Sequence, residues 1–324
     1  HAETAVEESS RDRDDLLICD QILRFGTVML ANLACGRGNK TMLADFVEVQ
    51  TSDGMTLGGA YFAPADVDRG SSVEAVCFFH GDGGHFYRPL YLELGQRLAE
   101  RGIAFLAANR RGHDTVSAGA RGGPPKGYAY ESVDESRLDY AAWLELLRER
   151  GHRRIVIGGH SGGAVRSVYA QAKEKFPEVV AVLPVSPGEY NYEGLKELHP
   201  DNFLRVYHDA THEVAEGRPH TFFTPGIPWG STWSASAFLD CFNADNRYSV
   251  TARVEEVECP VMFIFGSEEC EGPQILPACG AAMRSVKAAE FPHITVNIID
   301  GANHGYQGRD LELFETIHGW LKTI

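Results

Sequence analysis

Hydrophobic and polar positions divide this chain into three stretches with different periodicity. In the first, residues 14–34 carry apolar side chains at helical spacing, and this pattern predicts an amphipathic helix. The positions that form the apolar stripe are Ile18, Ile22, Phe25, Met29 and Leu33. Because this helix precedes the first strand, we expect it either to pack on its own domain or to mediate contact in a homo-oligomer.

The second stretch begins with a hairpin and continues as apolar strands that alternate with amphipathic helices. Residues 45–64 form two strand-like runs joined at Asp53-Gly54, which is typical of a hairpin turn. Further strands are predicted at 74–81, 103–110, 153–159, 179–186, 260–266 and 294–300, and helices at 88–101, 132–150, 162–176, 274–289 and 308–322. Near-continuous apolar strands joined by helices predict an α/β fold, with a mostly parallel sheet covered by helices on both faces.

The third stretch, residues 188–256, interrupts this alternation and has few strand signals. It is rich in aromatic residues: Tyr190, Tyr192, Phe203, Tyr207, Phe222, Phe223, Trp229, Trp233, Phe238, Phe242 and Tyr248. We interpret it as a helical cap or lid inserted above the strand ends. The predicted organisation is a polar tail with an extra helix (1–44), a core (45–187 and 257–324) and the cap (188–256).

Composition and charge exclude several classes of function. The 324 residues carry a formal net charge of −15, which argues against a nucleic-acid partner and against docking on an anionic membrane. The sequence contains no apolar run of about 18 residues, so no membrane-spanning helix is predicted. Seven scattered cysteines, none in a CxxC pair, favour reduced thiols and a cytoplasmic location. The sequence has neither a P-loop nor a dinucleotide-binding glycine motif, so we expect no cofactor.

Four polar clusters follow predicted strands, where ligands bind in parallel sheets. The first is the sequence GHSGG, in which Ser161 lies between glycines at positions two before and two after it. This G-x-S-x-G pattern between a strand and a helix is typical of a sharp turn that exposes a nucleophilic hydroxyl. The amide of Gly162, at the helix N-terminus, is then placed to stabilise an oxyanion. The alternative is a serine that only forms the turn.

The second cluster is HGDGGH, residues 80–85, after an earlier strand. Its glycines leave backbone amides open to a cavity, and Asp82, or alternatively Gly83, is the expected second oxyanion donor. The same sequence is also compatible with a simple strand-to-helix turn. His80 and His85 have no third partner at metal-ligand spacing, so we expect no metal.

The third and fourth clusters supply a base and an acid. His304 follows the last strand in the sequence GANHG, where its imidazole can reach Ser161 and act as general base. A carboxylate must orient that imidazole, and Glu269, after the strand that ends in FIFG, is our choice. Glu268, Glu271 and Glu189 are the alternatives.

Together these motifs resemble those of α/β-hydrolase-fold serine hydrolases with a cap. The resemblance covers residues 45–324 outside the cap, and rests on HGDGG, GHSGG, the acid after FIFG, GANHG and the arginine-glycine turn NRRGHD at 109–114. It implies that Ser161, His304 and Glu269 act in the family's order of nucleophile, acid and histidine. The family usually has aspartate at the acid position, whereas this chain offers only glutamates.

These residues predict hydrolysis of a carboxylic ester or lactone through an acyl-enzyme on Ser161. The aromatic cap suggests an apolar or aromatic small-molecule substrate, with His160, Tyr190, Trp229 and Trp233 as its contacts. The alternatives are a C–C bond or thioester hydrolase with the same triad, and a ligand-binding, receptor-like member of the fold without turnover.

Overall fold

A nine-stranded sheet forms the centre of the molecule. The computed structural model describes residues 28–33, 40–224, 231–272 and 276–324. The sheet strands are β1 (Val28–Leu33), β2 (Lys40–Gln50), β3 (Thr56–Phe62), β4 (Ala75–Phe79), β5 (Ala104–Ala108), β6 (Ile155–His160), β7 (Val179–Val185), β10 (Val261–Gly266) and β11 (Ile294–Ile299). Two short strands outside it, β8 (Phe222–Phe223) and β9 (Trp233–Ser234), pair with each other.

The order of strands in the large sheet is β1-β2-β3-β5-β4-β6-β7-β10-β11. The first three pair antiparallel, and β3 joins β5 antiparallel, whereas the six strands from β5 to β11 pair in parallel. Every residue of β4, β5 and β6 is buried, as expected for strands covered on both faces. The predicted α/β-hydrolase sheet is therefore confirmed.

Helices cover both faces of this sheet. The helices are α1 (Pro89–Ala99), α2 (Ser136–Glu149), α3 (Gly162–Glu174), α4 (Tyr192–Leu198), α5 (Pro200–Ala215), α6 (Ala235–Cys241), α7 (Val250–Val254), α8 (Ser267–Cys270), α9 (Pro277–Ala289) and α10 (Asp310–Leu321). Helices α1 and α10 bury Leu94 and Phe314 in the core of one face. Helices α2, α3 and α9 bury Trp143, Val168 and Met283 in the core of the other.

The N-terminal prediction is wrong in part. Val28–Leu33 is a strand that pairs antiparallel with β2, not the end of an amphipathic helix. Positions four apart, such as Met29 and Leu33, lie on one face of a strand as well as of a helix, so the spacing did not distinguish the two. The rest of the predicted helix, and with it the suggested oligomer contact, lies outside the described residues.

The segment 188–256 contains helices α4 to α7 and the β8–β9 pair. Its aromatic rings pack mainly on one another: Phe238 and Phe242 lie 5.2 Å apart between ring centroids, and Trp233 packs 5.3 Å from Phe242. These side chains belong to the same hydrophobic core as Trp143 and Val168, so the segment packs continuously onto one face of the sheet.

None of the helices in the described ranges has the length and apolar character needed to cross a bilayer. The five cysteines within those ranges, Cys77, Cys241, Cys259, Cys270 and Cys279, have free thiols.

Candidate active site

Ser161 lies at a strained turn between β6 and α3. Its φ of 56° and ψ of −122° are unusual for a residue with a side chain, and they direct the chain sharply from strand into helix. Glycines are required on both sides because a Cβ at Gly159 would lie 2.5 Å from the carbonyl carbon of Gly163. A Cβ at Gly163 would lie 2.5 Å from the carbonyl oxygen of His80. The turn that the sequence predicted is present.

The loop after β4 lies directly against this turn. A Cβ at Gly81 would come within 2.9 Å of the Cβ of Ser161, so only glycine permits this approach. Asp82 and Gly162 both line the cavity in front of Ser161. No backbone acceptor within the described ranges binds either amide, which leaves both available to a ligand. Gly83, the alternative donor, has a φ of +62° and is not among the described cavity-lining residues.

Glu269 and His304 are in direct contact. Nδ1 of His304 lies 2.6 Å from Oε2 of Glu269, which is completely buried. The other oxygen, Oε1, accepts hydrogen bonds from the hydroxyl of Ser186 at 2.6 Å and from the amide of Gly266 at 2.7 Å. Three contacts therefore fix the carboxylate, and the imidazole is left with Nε2 as its unengaged nitrogen.

The alternative glutamates lie elsewhere. Glu189 accepts hydrogen bonds from the amides of Val250 and Thr251, at the N-terminus of α7. Glu271 is exposed, and Glu268 has no side-chain contact with His304 among the described residues. The structure thus brings Glu269, and none of the three alternatives, to the histidine.

One cavity lies against the Ser161 turn, the Asp82 loop and His304. It has a volume of about 280 Å³, and both Ser161 and His304 line it. The remaining described lining residues are mostly small or apolar: Gly81, Asp82, Arg88, His160, Gly162, Gly188, Tyr190, Ser231, Leu276, Pro277, Ala278 and Cys279. Among the described residues, no hydrogen bond joins Ser161 to His304; catalytic hydrogen bonds often form only when substrate binds.

Comparisons with known proteins agree with this arrangement. The model of the alpha/beta hydrolase family matches residues 78–316, which include the Ser161 turn, Glu269 and His304. The chain belongs to this family. No curated protein sequence gives a significant match to the hydrolase.

Solved structures share its fold at low sequence identity. Est1E from Butyrivibrio proteoclasticus is 17% identical, covers 85% of this hydrolase and 97% of its own chain, and has a TM-score of 0.56. GrgF from Penicillium sp. sh18 is 15% identical with a TM-score of 0.61, over 86% of this chain and 100% of its own. A monoacylglycerol lipase of Paleococcus ferrophilus is 18% identical, with a TM-score of 0.58 over 83% and 99%. These likenesses establish the fold alone.

His160 has a part in the hydrolase beyond the one its position predicts. Nε2 lies 2.7 Å from the carbonyl oxygen of His304 and must donate to it, while Nδ1 lies 3.1 Å from the hydroxyl of Tyr91 and accepts from it. Burial lowers the pKa of His160 well below its usual value, in agreement with a neutral ring. Its ring lines the cavity, while Nε2 holds the His304 loop and Nδ1 bonds Tyr91. That His160 contacts the substrate stays a prediction, which its place in the lining allows.

A buried ionic cluster lies beneath the Asp82 loop, and the sequence did not reveal it. Arg110 and Arg166, both completely buried, each pair with Asp82, at 2.8 and 3.1 Å, and each also pairs with Glu131. The hydroxyl of Tyr190 donates to the remaining oxygen of Asp82 at 2.8 Å. We call these residues the Asp82 cluster. The carboxylate of the residue that presents the amide is thus fixed from three sides.

The predicted aromatic contacts with the substrate have different positions in the structure. Tyr190 lines the cavity, whereas Trp233 does not: it is buried against Tyr128, 4.4 Å away between ring centroids, and against Phe238 and Phe242. The prediction for Trp233 is wrong because its side chain is buried in the hydrophobic core that the segment 188–256 shares with the sheet. Trp229 lies outside the described residues.

One group of side chains offers donors of the kind that metals bind. Ligand atoms of Glu269, Cys279 and His304 lie within 4.8 Å of one another. A metal there would have to take the Nδ1 of His304 that now faces Glu269. It would therefore compete with the contact that orients the imidazole.

Proposed function

We propose that this hydrolase cleaves a carboxylic ester or lactone through an acyl-enzyme formed on Ser161. The observation that carries the proposal is the 2.6 Å contact between Glu269 and His304 at the cavity where the strained turn presents Ser161. A hydroxyl, an imidazole and a buried carboxylate in this order form the apparatus of acyl transfer. The monoacylglycerol lipase of Paleococcus ferrophilus, whose name describes an ester hydrolase, supports it as an analogy of fold.

The mechanism follows from the positions of the groups. As the Ser161 oxygen attacks the substrate carbonyl carbon, its proton passes to Nε2 of His304, because Nδ1 is held by Glu269. The amides of Gly162 and Asp82 stabilise the oxyanion of the tetrahedral intermediate. His304 then gives the proton to the leaving alcohol, or to the ring oxygen of a lactone. A water molecule then attacks the carbonyl carbon of the acyl-enzyme and gives its proton to Nε2 of His304. This proton passes to the Ser161 oxygen as the carboxylic acid leaves.

The cavity favours a small substrate. Its volume of about 280 Å³ lies just below the range of about 300–1,000 Å³ that is usual for ligand pockets. Tyr190 is the only aromatic residue of 188–256 among the described lining residues. We therefore propose a small acyl group, and regard the four helices and the short strand pair of 188–256 as the cap that limits its size.

Substitution of the proposed nucleophile tests this function. Ser161→Ala should lower the turnover of p-nitrophenyl acetate and butyrate and of a small lactone by about 10⁴-fold or more. Ser231→Ala, which removes a hydroxyl from the same cavity, is the matched control and should change turnover by less than about threefold. A fluorophosphonate should label the native protein and not the Ser161 variant.

Two results would contradict the proposal. Equal turnover by the native protein and Ser161→Ala would remove the serine from the mechanism. Tight binding of esters without turnover or labelling would instead favour a ligand-binding role.

A further inference from the structure

Arg88 is the only arginine or lysine among the described residues that line the cavity. It precedes helix α1, and the residue is exposed. Across the described part of the chain, no carboxylate lies within 4.0 Å of its guanidinium. Most other described arginines do have such a partner, so Arg88 holds an uncompensated positive charge at the cavity.

The one carboxylate in the described lining is already neutralised. Both oxygens of Asp82 are engaged, one by the guanidinium groups of Arg110 and Arg166 and the other by the hydroxyl of Tyr190. Among the described lining residues, Arg88 is therefore the one charged side chain without a carboxylate partner; the carboxylate of Glu269 lies behind His304 and outside the lining. An unpaired guanidinium at the cavity would attract an anionic group of a ligand.

The position of Arg88 also places this charge near the reacting groups. Burial raises the pKa of Tyr91, the hydrogen-bond partner of His160, and the charge of Arg88 opposes this; Arg88 also lowers the pKa of His160, after the larger effects of burial and of His304. His160 in turn packs against His304, with ring centroids 4.6 Å apart. A ligand that contacts Arg88 can therefore extend to Ser161 within the same cavity.

We propose that Arg88 binds a carboxylate on the substrate, so that the preferred substrates are small esters or lactones bearing an anionic group. Guanidinium groups suit this task because they bind a carboxylate through two parallel hydrogen bonds. The small and apolar lining near Leu276 and Ala278 then accommodates the carbon chain between carboxylate and ester. This inference rests on the proposed ester hydrolysis and identifies its substrate class.

Matched substrates and matched variants test it. The substrates are p-nitrophenyl butyrate and mono-p-nitrophenyl succinate, which have acyl chains of the same length and differ in a terminal carboxylate. Arg88→Gln should lower kcat/KM for the succinate about tenfold and for the butyrate by less than about twofold. Arg88→Lys should retain part of the preference, and added salt should weaken it in the native protein.

Arg121→Gln is the control for the change in net charge, because Arg121 is exposed and lies outside the cavity lining. It should leave the ratio of the two kcat/KM values unchanged. Equal effects of Arg88→Gln on both esters, or no effect on either, would overturn the inference. An equal response of the ratio to Arg121→Gln would do the same.

Binding separates this inference from the proposed catalysis. In the Ser161→Ala background, the Kd of mono-p-nitrophenyl succinate measured by calorimetry should rise about tenfold on adding Arg88→Gln. This result would support the carboxylate subsite even if the native protein hydrolysed neither ester. An unchanged Kd would overturn the subsite while leaving turnover of the butyrate, and so the proposed function, intact.

Discussion

Arg110 and Arg111 are adjacent in the chain and both are completely buried, yet they bind carboxylates in different parts of the hydrolase. Arg110 belongs to the Asp82 cluster, beside the Ser161 turn. Arg111 pairs with Asp139 on helix α2 at 2.8 Å and with Asp53, at the β2–β3 turn, also at 2.8 Å. The two side chains reach different carboxylates, so one pair of neighbours serves two regions.

The difference between the two regions is what each holds in place. Arg111 ties the β2–β3 hairpin to α2, away from the described cavity lining. Arg110 fixes the carboxylate of Asp82, whose amide we assign to the oxyanion site. We therefore expect disruption around Arg111 to lower stability alone, and disruption around Arg110 to lower turnover as well as stability.

The largest expected effect is that of Arg111→Met. It removes both hydrogen bonds that the Arg111 guanidinium donates to the buried carboxylate of Asp139. The free energy of unfolding should therefore fall by about 3–5 kcal/mol. The measurement is urea denaturation followed by circular dichroism. Below the transition, kcat should stay within about twofold of the native value; a large fall in kcat would erase the distinction between the two arginines.

The pH dependence of stability also tests the region around Arg111. Burial raises the pKa of Asp139 to about 6, and Arg111 opposes this only in part. A carboxyl whose pKa is higher in the folded chain takes up a proton on folding, so its contribution to stability is lost as pH rises from about 4 to about 6. Over that window the native protein should lose up to about 3 kcal/mol relative to Asp139→Asn. A constant difference would contradict the assignment.

Glu131→Gln tests the region around Arg110. This substitution keeps the shape of the side chain but removes the charge that Arg110 and Arg166 share, and should allow the Asp82 loop to shift. We expect kcat to fall about 10- to 30-fold with KM within about threefold, because the oxyanion is stabilised mainly in the transition state. Asp53→Asn, the matched change at the partner of Arg111, should leave kcat unaltered. Equal loss of kcat in both variants would contradict the contrast.

The smallest effect is expected from Tyr190→Phe. It removes one of three groups that hold Asp82 and leaves the ring in the cavity wall. We expect a fall in kcat of about threefold for p-nitrophenyl butyrate. If KM rose instead while kcat stayed constant, Tyr190 would act as a substrate contact, as its place in the sequence first suggested.

The Ser161 turn was predictable because its determinants are local. Gly159 is needed for a contact with Gly163, only four residues away, and a strand and a helix flank the turn. The parallel sheet was predictable for a similar reason, since fully buried strands are continuous apolar runs. The location of Glu269 and His304 after strands placed them at one edge of the sheet.

The Asp82 cluster and the role of His160 were not predictable in this way. Arg110 and Glu131 are 21 residues apart, and His160 and His304 are 144 residues apart, so no periodicity links them. The sequence also does not distinguish a buried arginine from a solvated one. Burial could be inferred only after the surrounding strands and helices had been placed.

Cys279 gives the cavity a chemical property separate from catalysis. Its thiol lines the cavity and its sulfur lies 4.0 Å from Nδ1 of His304. Burial raises the pKa of the thiol well above its usual value, so little thiolate is present at neutral pH and alkylation should accelerate in alkaline solution. An alkyl group attached there would occupy the space of the acyl chain. Inactivation by iodoacetamide would consequently report access to the acyl pocket, and an inhibitor profile taken alone would misidentify a serine enzyme as a cysteine enzyme.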